Sequence, residues 1–161
     1  MDISYIIPAL ALPAFVLFWM AITALMAVIG GWHGLEKAHP VPGHLYEKGT
    51  RYSFQSLSLG FFSNYNSSVH VTVFSTGIVI STLFVISVLH KPIYIAFDAM
   101  KDPSAGRFIL PYISFKFDGR NVRIMGKSAR VIIERLGLDR DVKKWGRGFL
   151  SKPVTAPLRE P

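Results

Sequence analysis

Three histidines in one short segment are the residues of this chain best suited to bind a transition metal. His33, His39 and His44 follow one another at spacings of six and five residues, and a neutral imidazole is a good ligand for zinc or copper. These spacings do not pair two rings on one face of a helix, and Pro40 and Pro42 interrupt the segment. The 161-residue chain also has no cysteine that could add a thiolate. We therefore expect no metal site and no cofactor.

Gly126, Lys127 and Ser128 have the order of residues that ends a phosphate-binding loop. The complete motif needs a glycine five positions before Gly126, where this chain has Asn121. A better interpretation is the start of a helix that Ser128 caps. No nucleophile-elbow pattern occurs, and the carboxylates are spaced as turn and surface residues. The chain is therefore expected not to be an enzyme.

The positive charge of the chain is concentrated in its C-terminal third. The net charge is +8, and residues 106–161 hold thirteen basic and five acidic side chains, while residues 1–105 are balanced. The tail combines bases with large apolar residues, as in a helix that lies on an anionic membrane surface. The residues expected to bind lipid are Lys143, Lys144, Trp145, Arg147 and Phe149. Nucleic acid would be attracted to the same charge, but beside a membrane anchor we expect lipid and no nucleic acid.

A long uncharged segment near the N-terminus predicts a membrane anchor. Half of the chain is hydrophobic, and the run from Tyr5 to Gly30 has no charge over 26 positions, more than the ~20 that a helix needs to cross hydrocarbon. A cleaved signal peptide would have a basic start and a shorter apolar run, whereas this chain begins with Met-Asp-Ile-Ser. The aromatic residues expected to contact the membrane are Tyr5, Phe15, Phe18, Trp19 and Trp32, with Tyr5 and Trp32 at the two interfaces.

The bases that follow the anchor indicate its orientation. Lys37, Lys48 and Arg51 come soon after it, and the C-terminal third is basic. Because basic segments are retained on the cytoplasmic side, we expect the N-terminus outside and the chain after Trp32 in the cytoplasm. The expected location is the inner (cytoplasmic) membrane of a bacterium.

A second uncharged run, at 71–89, has the composition of strands rather than of a helix. It is rich in Val, Ile and Thr, and Ser75–Gly77 reads as a turn between two alternating stretches. We interpret 68–97 as consecutive strands of an antiparallel sheet. The alternative, a second transmembrane helix at 71–89, would place the basic tail on the same side as the N-terminus, against the charge bias.

The remaining segments predict more strands and one closing helix. Strands are expected at Arg51–Phe62, Phe108–Phe117 and Asn121–Met125, and a break in the alternation at Gln55–Ser56 indicates a bulge. We expect polar turns or loops at 63–67, 101–106 and 118–119. A helix should follow from about 129, and Gly137 should end it.

A set of residues in the middle of the chain forms a pattern of its own. They are Phe54, Gln55, Ser56, Asn64, Tyr65, Asn66, Gly77, Ile78, His90, Pro92, Ile93, Phe97 and Asp98. The pattern covers about a third of the chain and resembles a family of small bacterial proteins with an N-terminal membrane helix, from which the chain departs at Lys91 and Ala96. The resemblance implies a PH-like domain, a split barrel closed by one C-terminal helix, and a recognition module rather than a catalyst.

Together these features predict a membrane-anchored α+β protein in four segments. These are a transmembrane helix at 5–30, a juxtamembrane linker at 31–50, a mainly antiparallel cytoplasmic β domain with its closing helix at 51–137, and a basic amphipathic tail at 138–161. The expected function is that of a non-enzymatic accessory or scaffold protein, in contact with membrane lipids and with a larger membrane-protein partner or as a homo-oligomer. The alternatives are a sensor of anionic phospholipid surfaces and a two-helix membrane subunit.

Overall fold

An eight-stranded antiparallel sheet forms most of the structure, a computed structural model that describes residues 3–45, 49–60, 63–87, 90–138 and 154–155. The strands are β1 (Thr50–Leu59), β2 (Ser63–Val73), β3 (Gly77–Thr82), β4 (Ile93–Ala96), β5 (Lys101–Arg107), β6 (Pro111–Phe117), β7 (Arg120–Met125) and β8 (Val154–Thr155). The α-helices of the described residues are α1 (Ile3–Ile29), α2 (Trp32–Ala38) and α3 (Lys127–Arg135). Short 3-10 turns lie at Gly43–Leu45, Phe84–Ile86 and Phe97–Ala99.

The order of the strands shows how the sheet curls around one core. β1–β4 and β5–β7 are two meanders, and the pairing of β1 with β7 joins them in the order β4-β3-β2-β1-β7-β6-β5-β8. α3 follows β7 and packs against β1, β2, β6 and β7. The predicted α+β architecture is confirmed at this level, with an N-terminal apolar helix, a curled antiparallel sheet and a C-terminal helix.

Alternation along the strands decides which side chains fill the core. On β6, Ile113, Phe115 and Phe117 are buried, while Ser114 and Lys116 between them lie on the outer face. The other strands and α3 contribute Leu57, Leu59, Val69, Val71, Val73, Ile78, Ile80, Ile93, Ile95, Val122, Ile124, Ala129, Ile132 and Ile133. Each large apolar side chain stabilises the fold by roughly 1.5–3 kcal/mol relative to exposure.

The uncharged run at 71–89 forms strands, as predicted. Its first residues end β2 and its next residues form β3, which pair antiparallel. The predicted turn is present, because the Phe74 amide donates to the Gly77 carbonyl (2.8 Å). The chain then leaves the sheet in the 3-10 turn at Phe84–Ile86, instead of continuing as a strand. The two-helix alternative is wrong, since the described part of this run contains no α-helix.

The predicted bulge lies at Gln55 and sets the position of α3. The pairing of β1 with β2 shifts register on both sides of Gln55, and Phe54 takes a left-handed φ of 56°. The buried Gln55 side chain reaches α3, where its Oε1 accepts hydrogen bonds from the Ser128 amide and hydroxyl, each at 3.0 Å. The prediction that Ser128 caps α3 is wrong, because Ser128 donates and the capping oxygen comes from a distant strand.

Two predicted turn positions are confirmed by their backbone geometry. Asp118 and Gly119 join β6 to β7, and their φ values of 49° and 72° are those of a tight two-residue hairpin. α3 ends where Gly137 takes a φ of 70° and its amide donates to the Glu134 carbonyl.

Three boundaries predicted from local polarity differ in the structure. The 63–67 segment, expected as a turn, begins β2, with Tyr65 buried and Asn64 and Asn66 exposed on the other face. The 101–106 segment, expected as a loop, is β5, which accommodates Pro103 at a shift in register. The strand expected from 108 begins only at Pro111. In the first two cases pairing with the neighbouring strand of a hairpin outweighs local residue preference.

Replacing Gln55 with alanine should destabilise the fold, because the first turn of α3 and the Ser128 hydroxyl would lose a buried acceptor. A buried polar group left unsatisfied costs about 1–3 kcal/mol, and we expect the free energy of unfolding to fall by that amount in urea titrations followed by circular dichroism. The control is Ser58→Ala on the outer face of the same strand, expected to change it by less than about 0.5 kcal/mol. Equal stability of the two variants would contradict the capping role of Gln55.

Candidate functional site

The outer surface of α1 is apolar and exposed over most of its length. The stretch Leu10–Ile29 has a mean hydropathy of 2.3 over 20 residues, and Leu12 is 70% exposed. At 1.5 Å per residue this stretch is about 30 Å long, the thickness of the hydrocarbon core. By length and composition α1 can cross a membrane, and within the described ranges it is the one helix that meets this test.

The five aromatic residues predicted to contact the membrane fall into two groups. Phe15, Phe18 and Trp19 are exposed on α1, and Tyr5 belongs to its first turn. Trp32 is fully buried at the start of α2. The prediction that Trp32 lies at the membrane interface is wrong, because the chain turns into the β domain directly after α1 and takes the indole into the core.

Trp32 occupies the centre of a buried aromatic cluster. Its ring centroid lies 5.3 Å from that of Tyr65 and 5.2 Å from that of His90. Its Nε1 donates a hydrogen bond to the Lys91 carbonyl oxygen (2.8 Å), which supplies the partner that a buried indole N–H needs. Trp32 thus fixes α2 against β2 and against the segment that leads into β4.

Glu36 binds the other backbone group of Lys91. One carboxylate oxygen accepts from the Lys91 amide (2.7 Å), and the other lies 2.8 Å from Nδ1 of His33. The carboxylate is almost fully buried, so both oxygens need such partners. Trp32 and Glu36 are four positions apart, on one face of α2, and together they hold the carbonyl and the amide of the same residue.

The first part of the linker predicted at 31–50, residues 31–40, is packed on the β domain. After α2, the His39 carbonyl accepts from the Tyr94 amide (3.1 Å), and Pro40 forms a bridge with Ile93 of β4. The His39 ring also lies 4.5 Å from the ring of Phe117, measured between centroids. Residues 31–40, which we name the clasp, therefore connect β4 to the end of β6 across the opening of the curled sheet.

The C-terminal end of α1 is held against the β domain by small residues and one arginine. Thr23 and Ala27 are buried, and Gly30 lies so close to Ser63 that a side chain would not fit. Nη1 of Arg120 donates to the Gly30 carbonyl oxygen at 3.4 Å. A cation is favourable at this end of a helix, where the peptide dipoles leave partial negative charge.

Gly31 completes this junction by a backbone conformation that other residues avoid. Its φ is 75°, and the guanidinium of Arg120 occupies the space that a Cβ would take. We name Gly30, Gly31, Ser63 and Arg120 the junction. Together with the clasp, it fixes the direction of α1 relative to the sheet.

The hydroxyl oxygen of Tyr65 lies 3.0 Å from Nε2 of His90, and the Tyr65 ring packs beside the Trp32 ring. Burial raises the pKa of Tyr65 to about 12, because the phenolate would lose its hydration. The phenol therefore stays protonated at neutral pH and can donate to the imidazole. This contact stabilises the same part of the core that receives α2.

His33 and His39, the two of the three histidines whose side chains are described, each lie beside a different carboxylate. His33 is paired with Glu36, and Nε2 of His39 lies 4.0 Å from a carboxylate oxygen of Asp118. In the described part of the chain, no group of three His, Asp or Glu side chains is arranged to hold an ion. The side chain of His44 is not among those described.

A row of polar side chains crosses the outer face of the sheet from β2 to β5. In cross-strand register the row runs Asn64, Ser58, Arg123, Ser114 and Ser104. Nε of Arg123 donates to the Ser114 hydroxyl (2.9 Å), and the guanidinium carbon lies 5.1 Å from the centre of the Tyr112 ring. The arginine is thereby positioned by two neighbours at the centre of the row.

A second pair of polar residues extends this row toward the junction. Lys116 pairs with Asn121 across β6 and β7, and its ammonium group donates to Asp102 (3.0 Å). Residues of the row and of the second pair line an open depression of about 530 Å³. We name this depression the polar groove. Its polar lining residues are Ser58, Asp102, Ser104, Ser114, Lys116, Asn121 and Arg123. Arg120 of the junction precedes Asn121 on β7, and because successive side chains of a strand point to opposite faces, the groove and the junction lie on opposite faces of the sheet. The cations, hydroxyls and amide of the groove suit a polar or anionic ligand.

Sequence analysis missed the polar groove, although a signal was present. Ser114 and Lys116 alternate with core residues on β6, and Asn121 and Arg123 do so on β7. Alternation alone marks these positions as solvent-facing. The pairing of β1 with β7, which brings Ser58 opposite Arg123, is a long-range contact that the local pattern does not show.

The residues predicted to bind lipid through the basic tail lie outside the described residues. They are Lys143, Lys144, Trp145, Arg147 and Phe149. The described part of the tail is β8, which pairs with Ser104 and Ala105 at the edge of β5. The lipid-binding role of the tail stays a prediction.

Comparisons with known proteins give distant similarities to solved structures. No family model matches the chain, and no curated protein matches it. Among solved structures, the chain is similar to one described as the Vps36 N-terminal PH domain, with 10% sequence identity and a TM-score of 0.41, over 60% of this chain and 80% of that chain. The resemblance to a family of bacterial membrane proteins stays a prediction.

Adding a methyl group at Gly31 should loosen the junction. A left-handed φ costs a residue with a Cβ about 1–2 kcal/mol, and at Gly31 the methyl would also collide with Arg120. We therefore expect Gly31→Ala to lower the free energy of unfolding by more than this backbone cost. The matched control is Gly119→Ala, with a φ of 72° and no atom within 4 Å of the added methyl.

Arg120→Ala supplies the second half of this test. This substitution removes the collision between the methyl group added at Gly31 and the guanidinium but leaves the cost of the left-handed φ. The double variant should therefore lose less free energy of unfolding than the sum of the losses in the two single variants. Urea titration of the full chain in detergent measures the free energy of unfolding of the unchanged protein and of the four variants. Strict additivity, or equal losses in Gly31→Ala and Gly119→Ala, would contradict the contact between Arg120 and the α1 end.

Proposed function

We propose that the protein is a single-span membrane protein whose β domain is a non-enzymatic binding module, held in a fixed position against the end of its anchor. The observation that carries the proposal is a contrast within α1. Its outer surface is apolar and exposed along Leu10–Ile29, while its C-terminal end is held by Arg120 and continues into the clasp. An exposed apolar surface of this length is more stable in lipid than in water.

The charges on either side of α1 support an orientation with the β domain in the cytoplasm. The described domain carries bases on β5, β6, β7 and α3, and Arg120 lies at the very end of the helix. Positively charged segments beside a membrane helix are retained on the cytoplasmic side. The proposed location is therefore the inner membrane of a bacterium, with the N-terminus outside.

The fixed junction favours the role of an accessory or scaffold protein. A domain that does not swing on a flexible linker presents the same faces to the membrane and to its neighbours. The curled sheet with its closing helix suggests a domain that binds lipid or protein. The proposed partner is a larger membrane protein or a second copy of the chain, in contact with the exposed side of α1.

A topology experiment tests this proposal. A reporter that is active only in the cytoplasm should be active when it is fused after Pro161. The protein should also remain in the membrane fraction after extraction with alkaline carbonate. The control is a chain in which Leu12, Leu17 and Phe18 are replaced by lysine, expected in the soluble fraction since each lysine costs about 2.5–3.5 kcal/mol in the core of the bilayer. Release of the unchanged protein by carbonate, or activity of a periplasmic reporter, would contradict the proposal.

A second candidate function is the binding of anionic phospholipid headgroups, and the side chains of the polar groove favour it. The groove lies on the outer face of the sheet, where Arg123 is exposed beside the Ser58, Ser104 and Ser114 hydroxyls and Lys116 is paired with Asp102. Phosphate groups are bound by such combinations of cations and hydroxyls. In this proposal the basic tail adds to the attraction, since each base near an anionic surface contributes about 1 kcal/mol.

Native mass spectrometry of the detergent-solubilised full chain can count bound phosphatidylglycerol. We expect Arg123→Gln to lower the bound fraction about fivefold, the factor for one lost base at an anionic surface. The control is Arg130→Gln on α3. It lowers the net charge of the chain by the same amount, but at a side chain that is outside the groove and paired with Glu134. Equal loss from both variants would indicate attraction by net charge alone and would contradict a site at the groove.

A further inference from the structure

Three consecutive large apolar side chains are exposed at one turn of the sheet. Phe108, Ile109 and Leu110, which join β5 to β6, are 84%, 78% and 54% exposed. The turn is closed by a hydrogen bond from the Phe108 amide to the Leu110 carbonyl (3.3 Å), so the three side chains project from a defined loop. We name these residues the apolar tip. Contiguous apolar surface of this kind marks an interaction site more often than a single exposed leucine does.

The apolar tip lies at the end of the sheet opposite the junction. The Pro111 carbonyl, directly after the tip, accepts from the Gly126 amide at the end of β7 (3.0 Å). The junction residue Arg120 begins the same strand. Five residue steps along β7 amount to about 17 Å, which separates the two ends. Between them, on the outer face of β6 and β7, lie Lys116 and Arg123 of the polar groove.

The charges around the tip are those of a surface that faces anions. Arg107 and Lys127, at either side of the tip in the fold, are both exposed. No acidic residue occurs at 103–117 or at 119–133. The acidic residues of this half of the sheet, Asp102 and Asp118, lie at the other end, where Lys116 binds Asp102.

We propose that the apolar tip inserts into the headgroup boundary of the bilayer that α1 spans, so that the domain lies along the membrane surface. This inference rests on the proposed function in one respect, the membrane insertion of α1. With α1 in the bilayer, the tip is held within the length of one strand from lipid, and a tethered contact needs little intrinsic affinity. Apolar side chains enter the boundary region while adjacent bases stay at the headgroups. The outer face of β6 and β7 then faces the phosphates.

The absence of cysteine from the chain allows one position at a time to be labelled. The full chain carrying Ile109→Cys, labelled with an environment-sensitive dye and placed in nanodiscs of phosphatidylglycerol and phosphatidylcholine, should show a blue-shifted emission. Lipids with a nitroxide on the upper acyl chain should quench it. Glu134→Cys, exposed on α3, is the control that should remain unquenched, and Leu17→Cys reports separately on whether α1 is in the bilayer.

Each result decides between the possibilities. Quenching at Ile109 and at Leu17, but not at Glu134, supports the proposal. Quenching at Leu17 alone overturns the tip proposal and leaves the anchor intact, as expected if the tip binds a protein instead. Quenching at neither position overturns both, and quenching at Ile109 without Leu17 overturns only the spanning role of α1.

The bases beside the tip provide a second measurement in the same nanodiscs. Arg107→Gln should lower the ratio of inserted to free tip about fivefold, since one base at an anionic surface contributes about that factor. In nanodiscs of phosphatidylcholine alone, the same substitution should have no effect. Equal quenching of Ile109 in both proteins with anionic lipid would overturn the electrostatic part of the proposal.

Discussion

The two hydrogen bonds by which α2 holds the backbone of Lys91 determine how the anchor and the β domain are related. Trp32 and Glu36 bind the carbonyl and the amide of one peptide segment, and both side chains are buried. A buried carboxylate is tolerated only while its partners are in place, so partial undocking of α2 would leave the Glu36 oxygen that binds the Lys91 amide without its partner. The attachment is therefore close to all-or-none. With α2 docked, the left-handed turn at Gly31 leads α1 away in one direction.

The alternation and hydropathy of the sequence were sufficient to predict those strands, turns and helices whose formation depends on residues close together in the chain. Alternation gave the strands of 68–82, the bulge at Gln55 and the hairpin at Asp118–Gly119, and hydropathy gave α1. Contacts between distant segments were not visible in the same way. The cap that Gln55 supplies to α3 crosses 73 positions, and the glycines and prolines after α1 concealed a docked helix. The apolar spacing of Trp32 and Leu35, three positions apart, was the one local sign that this segment has a buried face.

The arginines of β7 carry two kinds of information that sequence alone cannot separate. Positive charge after a membrane helix indicates topology wherever the bases lie. The fold gives each base a particular place, since Arg120 meets the Gly30 carbonyl at the end of α1 while Arg123 lies over Tyr112 on the outer face. Arg120 is already hydrogen-bonded within the protein, at the end of α1. A charge on the outer face remains available to phosphate.

A rigid junction has a consequence for any contact made elsewhere on the domain. A domain on a flexible linker can rotate until an apolar loop reaches lipid, whereas here the clasp fixes the sheet relative to α1, and a second contact with the bilayer requires a particular tilt of that helix. Hydrophobic helices change tilt at a cost of fractions of a kcal/mol per ångström of mismatch. Burying even one large apolar side chain of the tip contributes more, roughly 1.5–3 kcal/mol. The tilt of α1 would therefore follow the tip, and the same two contacts would determine which face of the sheet is turned toward the headgroups.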